Sequence, residues 1–152
     1  LELLDWWQEE THRCFQGSAT HPVFVALDHL MDRYRFRIEP FLDLINAFIQ
    51  DQTVTRYDTW DQLIDYCRRS ADPVGRLVLR LVDQDDDPEV VEASDQVCTA
   101  LQLTNHWQDV NRDLLDRDRI YVPADCHDID ECKTGTHNCD KNAIVRMSEI
   151  TS

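Results

Sequence analysis

The run from Pro88 to Leu115 constrains the fold most. After its first residue it holds neither proline nor glycine, and its apolar positions recur at helical spacing. Proline is well placed in a first turn, so Pro88 opens a long helix. At about 100° per residue, Gln102, Asn105, Asp109 and Asp113 fall within roughly 80° of arc. At ~1.5 Å rise per residue they form a line roughly 16 Å long. Leu103, Trp107, Val110 and Leu114 flank that line on one side, and Val90, Val97 and Leu101 on the other. Val91 and Cys98 continue it toward the N-terminus. The pattern predicts a mostly buried helix with one polar seam facing a cavity.

Asp109 and Asp113 stand one helical turn apart in that seam. Like charges at this spacing cost a few tenths of a kcal/mol when exposed and far more when desolvated. A divalent cation removes the conflict. Carboxylate oxygens suit Mg²⁺, which keeps several waters and commonly bridges to a phosphate. Spacing alone equally allows an acidic surface helix, because the chain carries 30 Asp and Glu against 15 Lys and Arg.

Gly is scarce, at 3 of 152 residues, and long stretches follow helical periodicity, so the expected class is all-α. A net charge of −15 argues against nucleic acid, whose phosphates need a basic partner. No stretch approaches the ~20 apolar residues of a membrane span. The chain starts at Leu1 without a secretory leader and runs straight into a helical pattern, which reads as a fragment or a processed piece.

Five helical segments are expected. The first runs from Leu1 to about Phe15, with Leu3, Leu4, Trp7 and Phe15 inward, and Gly17 breaks it. His21-Pro22 opens the second and Glu39-Pro40 the third, the latter with Phe41, Leu44, Ile45 and Phe48 inward. Thr59 and Gln62 form a capping box for the fourth, which reaches about Val82 with an interruption near Pro73. Its inner face is Leu63, Cys67, Ser70, Val74, Leu77 and Leu81. Tyr66 sits at the edge of that face, as a cavity wall or as a core tyrosine with a satisfied hydroxyl. Small residues at Ser70, Ala71 and Gly75 would let another helix or a ligand approach closely. Cys14, Cys67 and Cys98 read as reduced core thiols.

Three blocks together resemble the squalene/phytoene synthase family of isoprenoid enzymes. They are Gln102…Asn105…Asp109…Asp113, Arg117-Asp-Arg119-Ile-Tyr121-Val-Pro123, and Arg56-Tyr57-x-Thr59…Leu63…Tyr66-Cys67…Val74-Gly75. Leu4-Asp5-Trp6-Trp7, His21 to Leu27 and Ile38 to Leu42 are most similar to the bacterial branch that feeds hopanoid synthesis. The resemblance covers Leu1 to Pro123. It implies an all-α isoprenoid-synthase fold around a greasy cavity, with two aspartate-rich helices holding Mg²⁺ against a farnesyl-derived diphosphate. Asp109 and Asp113 would be Mg²⁺ ligands, with Asn105 beside them. Gln102 and Asn105 would hydrogen-bond the metal–diphosphate cluster. Tyr66 would line the cavity near the reacting carbons. Arg117, Arg119 and Tyr121 would contact the diphosphate. In the implied reaction, presqualene diphosphate gives hydroxysqualene or squalene. Gln108 stands where the family commonly has Arg, a feature the hopanoid branch tolerates.

The resemblance places the family's first aspartate-rich motif upstream of Leu1 and further helices after Pro123. The chain alone is therefore expected to give no turnover. It also implies a cytoplasmic protein with a lipid substrate, and so peripheral association with the inner membrane. Oligomeric state is not legible.

Composition changes near Pro123–Asp125, dividing a helical part (1–124) from a tail (125–152) with Cys126, Cys132 and Cys139. Asp128-Ile-Asp-Glu-Cys132 through Ala143 resembles the opening of a calcium-binding epidermal-growth-factor-like module, with only Cys132 and Cys139 in register. A unit that small without its disulfides has little core, so the tail is expected to be a disordered remnant. A zinc site from Cys126, His127, Cys132, His137 and Cys139 matches no standard ligand spacing. Two further functions stay open: a non-catalytic helical protein that binds diphosphate, and an extracellular calcium-binding protein in which the tail is the working part.

Overall fold

The computed structural model describes residues 1–126. The growth-factor-like resemblance and the cysteine–histidine set of the tail lie outside them, apart from Cys126. Six helices build the described part: α1 (Glu2–Phe15), α2 (Pro22–Tyr34), α3 (Glu39–Gln50), α4 (Trp60–Ser70), α5 (Asp72–Leu81) and α6 (Pro88–Arg117). The all-α class holds. The interruption expected near Pro73 is a full break at Ala71 (φ −122°, ψ −53°), so the fourth segment is two helices.

Local chemistry sets the boundaries. α1 carries Glu2 and Asp5 in its first turn and His12 and Arg13 in its last, both favourable to the helix dipole. It stops where Gly17 takes φ 67° and the Ser18 amide reaches back 2.9 Å to the Arg13 carbonyl. Pro22, Pro40 and Pro88 stand in first turns as expected. Thr59 and Gln62 complete both halves of the capping box on α4. α6 ends at Asp118, whose left-handed φ of 49° lets the Arg119 amide donate to the Asp113 carbonyl at 3.1 Å.

α6 lies against α4 and α5, while α3 bridges α1, α4 and α5. The main core is Ala47, Tyr57, Leu63, Tyr66, Cys67, Leu103 and Tyr121, with Val54, Trp60, Ile64 and Trp107 packed on it. Gly75 marks the tightest helix crossing. A Cβ there would come within 2.5 Å of Ser94 Oγ and 2.6 Å of Cys98 Sγ, so the close approach that the small residues allow is made by α6. Cys14, Cys67 and Cys98 are free thiols. Cys98 is only half-buried.

Three inward faces differ from expectation. α1 buries Glu10, Thr11 and Cys14, whereas Leu3 is exposed. Glu10 can be inside because it accepts from the Thr20 and His21 amides at 3.2 and 3.1 Å and from the Thr20 hydroxyl, and pairs with Arg13 at 2.9 Å. Burial alone would raise its pKa, but these partners together hold it below the ordinary carboxylate value. In α3, Ala47 rather than Phe48 faces the core. In α5, Val74 and Leu81 are exposed, because the break at Ala71 resets the helical phase that would have carried the inner face of α4 onward.

The segment after α6 returns alongside the residues before α4. Arg56 and Ile120 form a parallel bridge, and the Ile120 amide donates to the Thr55 carbonyl at 3.0 Å. Farther along, the Ala124 and Asp125 amides donate to the Tyr57 and Asp58 carbonyls at 2.9 and 3.2 Å. Asp125 also accepts from the Trp60 amide at 3.2 Å, and Cys126 is buried. Packing therefore continues past the composition break at Pro123–Asp125. This strap ties the end of α6 to the start of α4.

Candidate functional site

The polar seam runs along α6 at the border between a packed stripe and an open one. Thr99, Leu103, His106 and Asp113 are buried. Gln102 and Asp109 are half-buried and Asn105 is exposed. The acid pair is graded: the Asp109 side chain keeps 35% of its surface in solvent and that of Asp113 only 7%. On the far side of the seam, Val97 and Leu101 are 58% and 61% exposed, which corrects the expectation of a mostly buried helix. Val74 and Val78 of α5 are likewise exposed. Gly75 meets Cys98 across the antiparallel α5–α6 pair, and all four apolar side chains sit on the same rotational side of that contact. The seam thus has an open apolar wall beside it.

The repulsion expected between Asp109 and Asp113 is relieved within the helix. Asp109 accepts from Arg112, and Asp113 stands 3.7 Å from Arg117. Sequence reasoning missed both pairings, although i, i+3 and i, i+4 spacing was enough to find them. The two guanidinium side chains are 62% and 61% exposed, so each pair contributes only about 0.3–0.5 kcal/mol and yields readily to a stronger cation. Among the described residues, no group of three or more His, Cys, Asp or Glu converges on a metal position. Two carboxylates with a neighbouring amide fit a hard cation that takes its remaining ligands from water and phosphate, as Mg²⁺ does.

Tyr66, Arg119 and Tyr121 are elsewhere. Tyr66 is 3% exposed and donates its hydroxyl to Asp51 Oδ2 at 3.0 Å, the satisfied hydroxyl expected of a core tyrosine. Tyr121 is 7% exposed and donates to Asp51 Oδ1 at 3.3 Å. Arg119 donates to the Tyr121 hydroxyl at 3.0 Å and to the Asp51 carbonyl, and lies 3.6 Å from the Asp51 carboxylate. Of the basic and aromatic trio after α6, only Arg117 meets the acid pair. The other two are committed to Asp51 because burial obliges their polar atoms to find partners.

Half-buried Asp51 and buried His106 are two further polar residues that sequence reasoning passed over. His106 stacks on Tyr121 at 3.7 Å between ring centres and 15° between planes. Burial, and then the nearby Arg119 charge, pulls its pKa down to about 4, so the imidazole is neutral. Asp51 moves the other way: burial raises it despite the opposing Arg119 charge and the two tyrosine hydroxyls. Tyr66 stays protonated, since burial and the Asp51 charge both push its hydroxyl up. A separate groove of about 650 Å³ lies between α3, α4, α5 and α6, with Trp60, Arg68, Asp72, Arg76, Asp95 and Thr99 on its walls and no seam residue among them. There burial raises the Asp72 carboxyl to about 6, with Thr99 donating to it at 2.8 Å.

The described residues thus form an all-α body with an aspartate pair on its longest helix. The family model for squalene/phytoene synthase matches residues 1–135. A hydroxysqualene synthase from Rhodopseudomonas palustris is 44% identical over 128 residues, covering 84% of this chain and 42% of that protein. One from Sinorhizobium fredii is 44% identical over 108 residues, covering 71% and 36% respectively. A phytoene synthase from Arthrospira platensis is 35% identical, covering 82% of this chain and 44% of that protein. The crystal structure of squalene synthase HpnC from Alicyclobacillus acidocaldarius superposes with a TM-score of 0.76 at 51% identity, over 80% of this chain and 46% of that one. The chain belongs to the squalene/phytoene synthase family. It spans less than half the length of each of these relatives.

Proposed function

We propose that this body is the second-aspartate half of a Mg²⁺-dependent enzyme that acts on farnesyl-derived diphosphates and takes presqualene diphosphate to hydroxysqualene or squalene. The supporting observation is the acid pair near the end of α6, on the same helix as the exposed apolar Val97 and Leu101. Asp109 and Asp113 would hold the metal, with Asn105 and Gln102 beside it. Bound Mg²⁺ supplies a Lewis acid for the charge that grows on a leaving diphosphate. Arg112 and Arg117, released from the carboxylates, are placed to meet phosphate oxygens. The apolar wall gives the isoprenoid chain a surface that keeps water away from a reactive carbon.

The hydroxysqualene synthase relatives support this substrate class. No helix among the described residues is long and apolar enough to cross a membrane, so a lipid substrate would be met by peripheral association.

The family resemblance implies two aspartate-rich motifs, and Asp109 and Asp113 match the second of them. The 152-residue chain is therefore expected to bind without turning over. This also favours the second reading, a diphosphate-binding body without chemistry of its own. Titration calorimetry with inorganic pyrophosphate should show binding that requires Mg²⁺ and disappears in the Asp109→Asn, Asp113→Asn double variant. Mg²⁺-independent binding, or binding that survives the double substitution, refutes the site. Diphosphate release from farnesyl or presqualene diphosphate refutes the expected inactivity.

A further inference from the structure

We propose that Asp51 is a positioning residue that keeps Arg119 off Asp113, leaving Arg117 as the cation beside Asp113. The inference rests on the diphosphate reading above and concerns the regulation of that same site.

Three chain segments meet at one carboxylate. Asp51 directly follows α3, Tyr66 comes from α4, and Arg119 and Tyr121 come from the strap. Oδ2 takes the Tyr66 hydroxyl and Oδ1 the Tyr121 hydroxyl, while Arg119 spans the Asp51 carbonyl and carboxylate. Arg117 and Arg119 flank the left-handed turn at Asp118, so both begin within two residues of the end of α6. Their fates differ sharply: the Arg117 side chain is 61% exposed beside Asp113, and that of Arg119 is 12% exposed beside Asp51. The Arg119 amide bonds the Asp113 carbonyl, which places the Arg119 stem within one turn of the Asp113 carboxylate. A guanidinium stranded without Asp51 would be a buried, unpaired charge. The Asp113 carboxylate, 3.7 Å from Arg117, is the buried acceptor on that turn. A second arginine on Asp113 would compete with a metal for the same oxygens.

The test uses the whole chain, with MgCl₂ and inorganic pyrophosphate as the probe in titration calorimetry, and far-UV circular dichroism to confirm helicity. Asp51→Asn keeps the shape and one acceptor oxygen but removes the charge, and should weaken Mg²⁺-dependent pyrophosphate binding by about fivefold or more. Adding Arg119→Ala removes the competing cation and should restore affinity to within about twofold of the parent chain. Unchanged binding by Asp51→Asn overturns the proposal. So does a double variant as weak as the single one, which would mean that Asp51 only supports the fold. Should Asp51→Asn fail to fold, loss of binding by Arg119→Ala alone overturns it, because Arg119 would then be a phosphate ligand itself. Absence of binding by the parent chain is a different result: it removes the diphosphate reading, and this proposal with it.

Discussion

Acidification sets His106 against its surroundings. An unfolded histidine takes up its proton near pH 6.5, whereas the buried imidazole beside Arg119 resists until about pH 4. Between those values the unfolded chain binds the extra proton, so stability falls as pH falls. The slope is about 1.4 kcal/mol per pH unit, and the whole window amounts to about 3 kcal/mol. Asp72 acts in the opposite sense. Its folded pKa is raised to about 6, so the native state holds a proton that the unfolded chain releases, and its contribution grows as pH falls from about 6 toward 4. The two terms nearly cancel in the parent chain, and a single pH profile hides both. A difference measurement separates them. His106→Phe keeps a flat ring against Tyr121 and removes the titration. Urea unfolding followed by circular dichroism at 222 nm, at pH 7 and pH 4, gives the stability of each form. The variant should gain about 3 kcal/mol on the parent between the two pH values. A gap that stays constant to within about 0.5 kcal/mol refutes a neutral, desolvated His106.

Two further outcomes follow from packing. Leu103 is fully buried against the core, so Leu103→Ala should cost about 2–5 kcal/mol in the same urea assay at pH 7. Gly75→Ala drives a methyl group into Ser94 Oγ and Cys98 Sγ, so those side chains must turn aside, and should cost about 1–3 kcal/mol. A neutral result would show that the crossing is looser than the 2.5 Å contact implies.

Most of the helical plan was legible because its signals are local. The prolines at 22, 40 and 88, the Thr59–Gln62 box and the glycine after α1 each act within one turn. The acid pair was legible for the same reason. Inward faces were harder to read. Glu10 is buried because Thr20 and His21, ten and eleven residues away, supply its partners, and no short pattern encodes that. The fate of Arg119 and Tyr121 depended on Asp51, separated from them by 68 and 70 residues. Val74 left the core because a break at Ala71 turned the following helix, and a continuous 3.6-residue period cannot show such a turn. The arginine partners of Asp109 and Asp113 were the exception: they are local, and were overlooked because attention went to the carboxylates alone.

The strap has a consequence for how the acid pair comes into being. Arg56 and Asp118 join the ends of a loop 62 residues long, and closing such a loop costs about 4 kcal/mol of chain entropy before any contact is gained. That cost is met in one event, when the stretch ahead of α4 and the stretch beyond α6 find each other. Until then the last turn of α6, with Asp113 on it, has nothing to stop it unravelling. Asp113 therefore leans on the strap, since anything that unzips residues 55–58 from 120–125 loosens the chain whose Arg119 amide caps the Asp113 carbonyl.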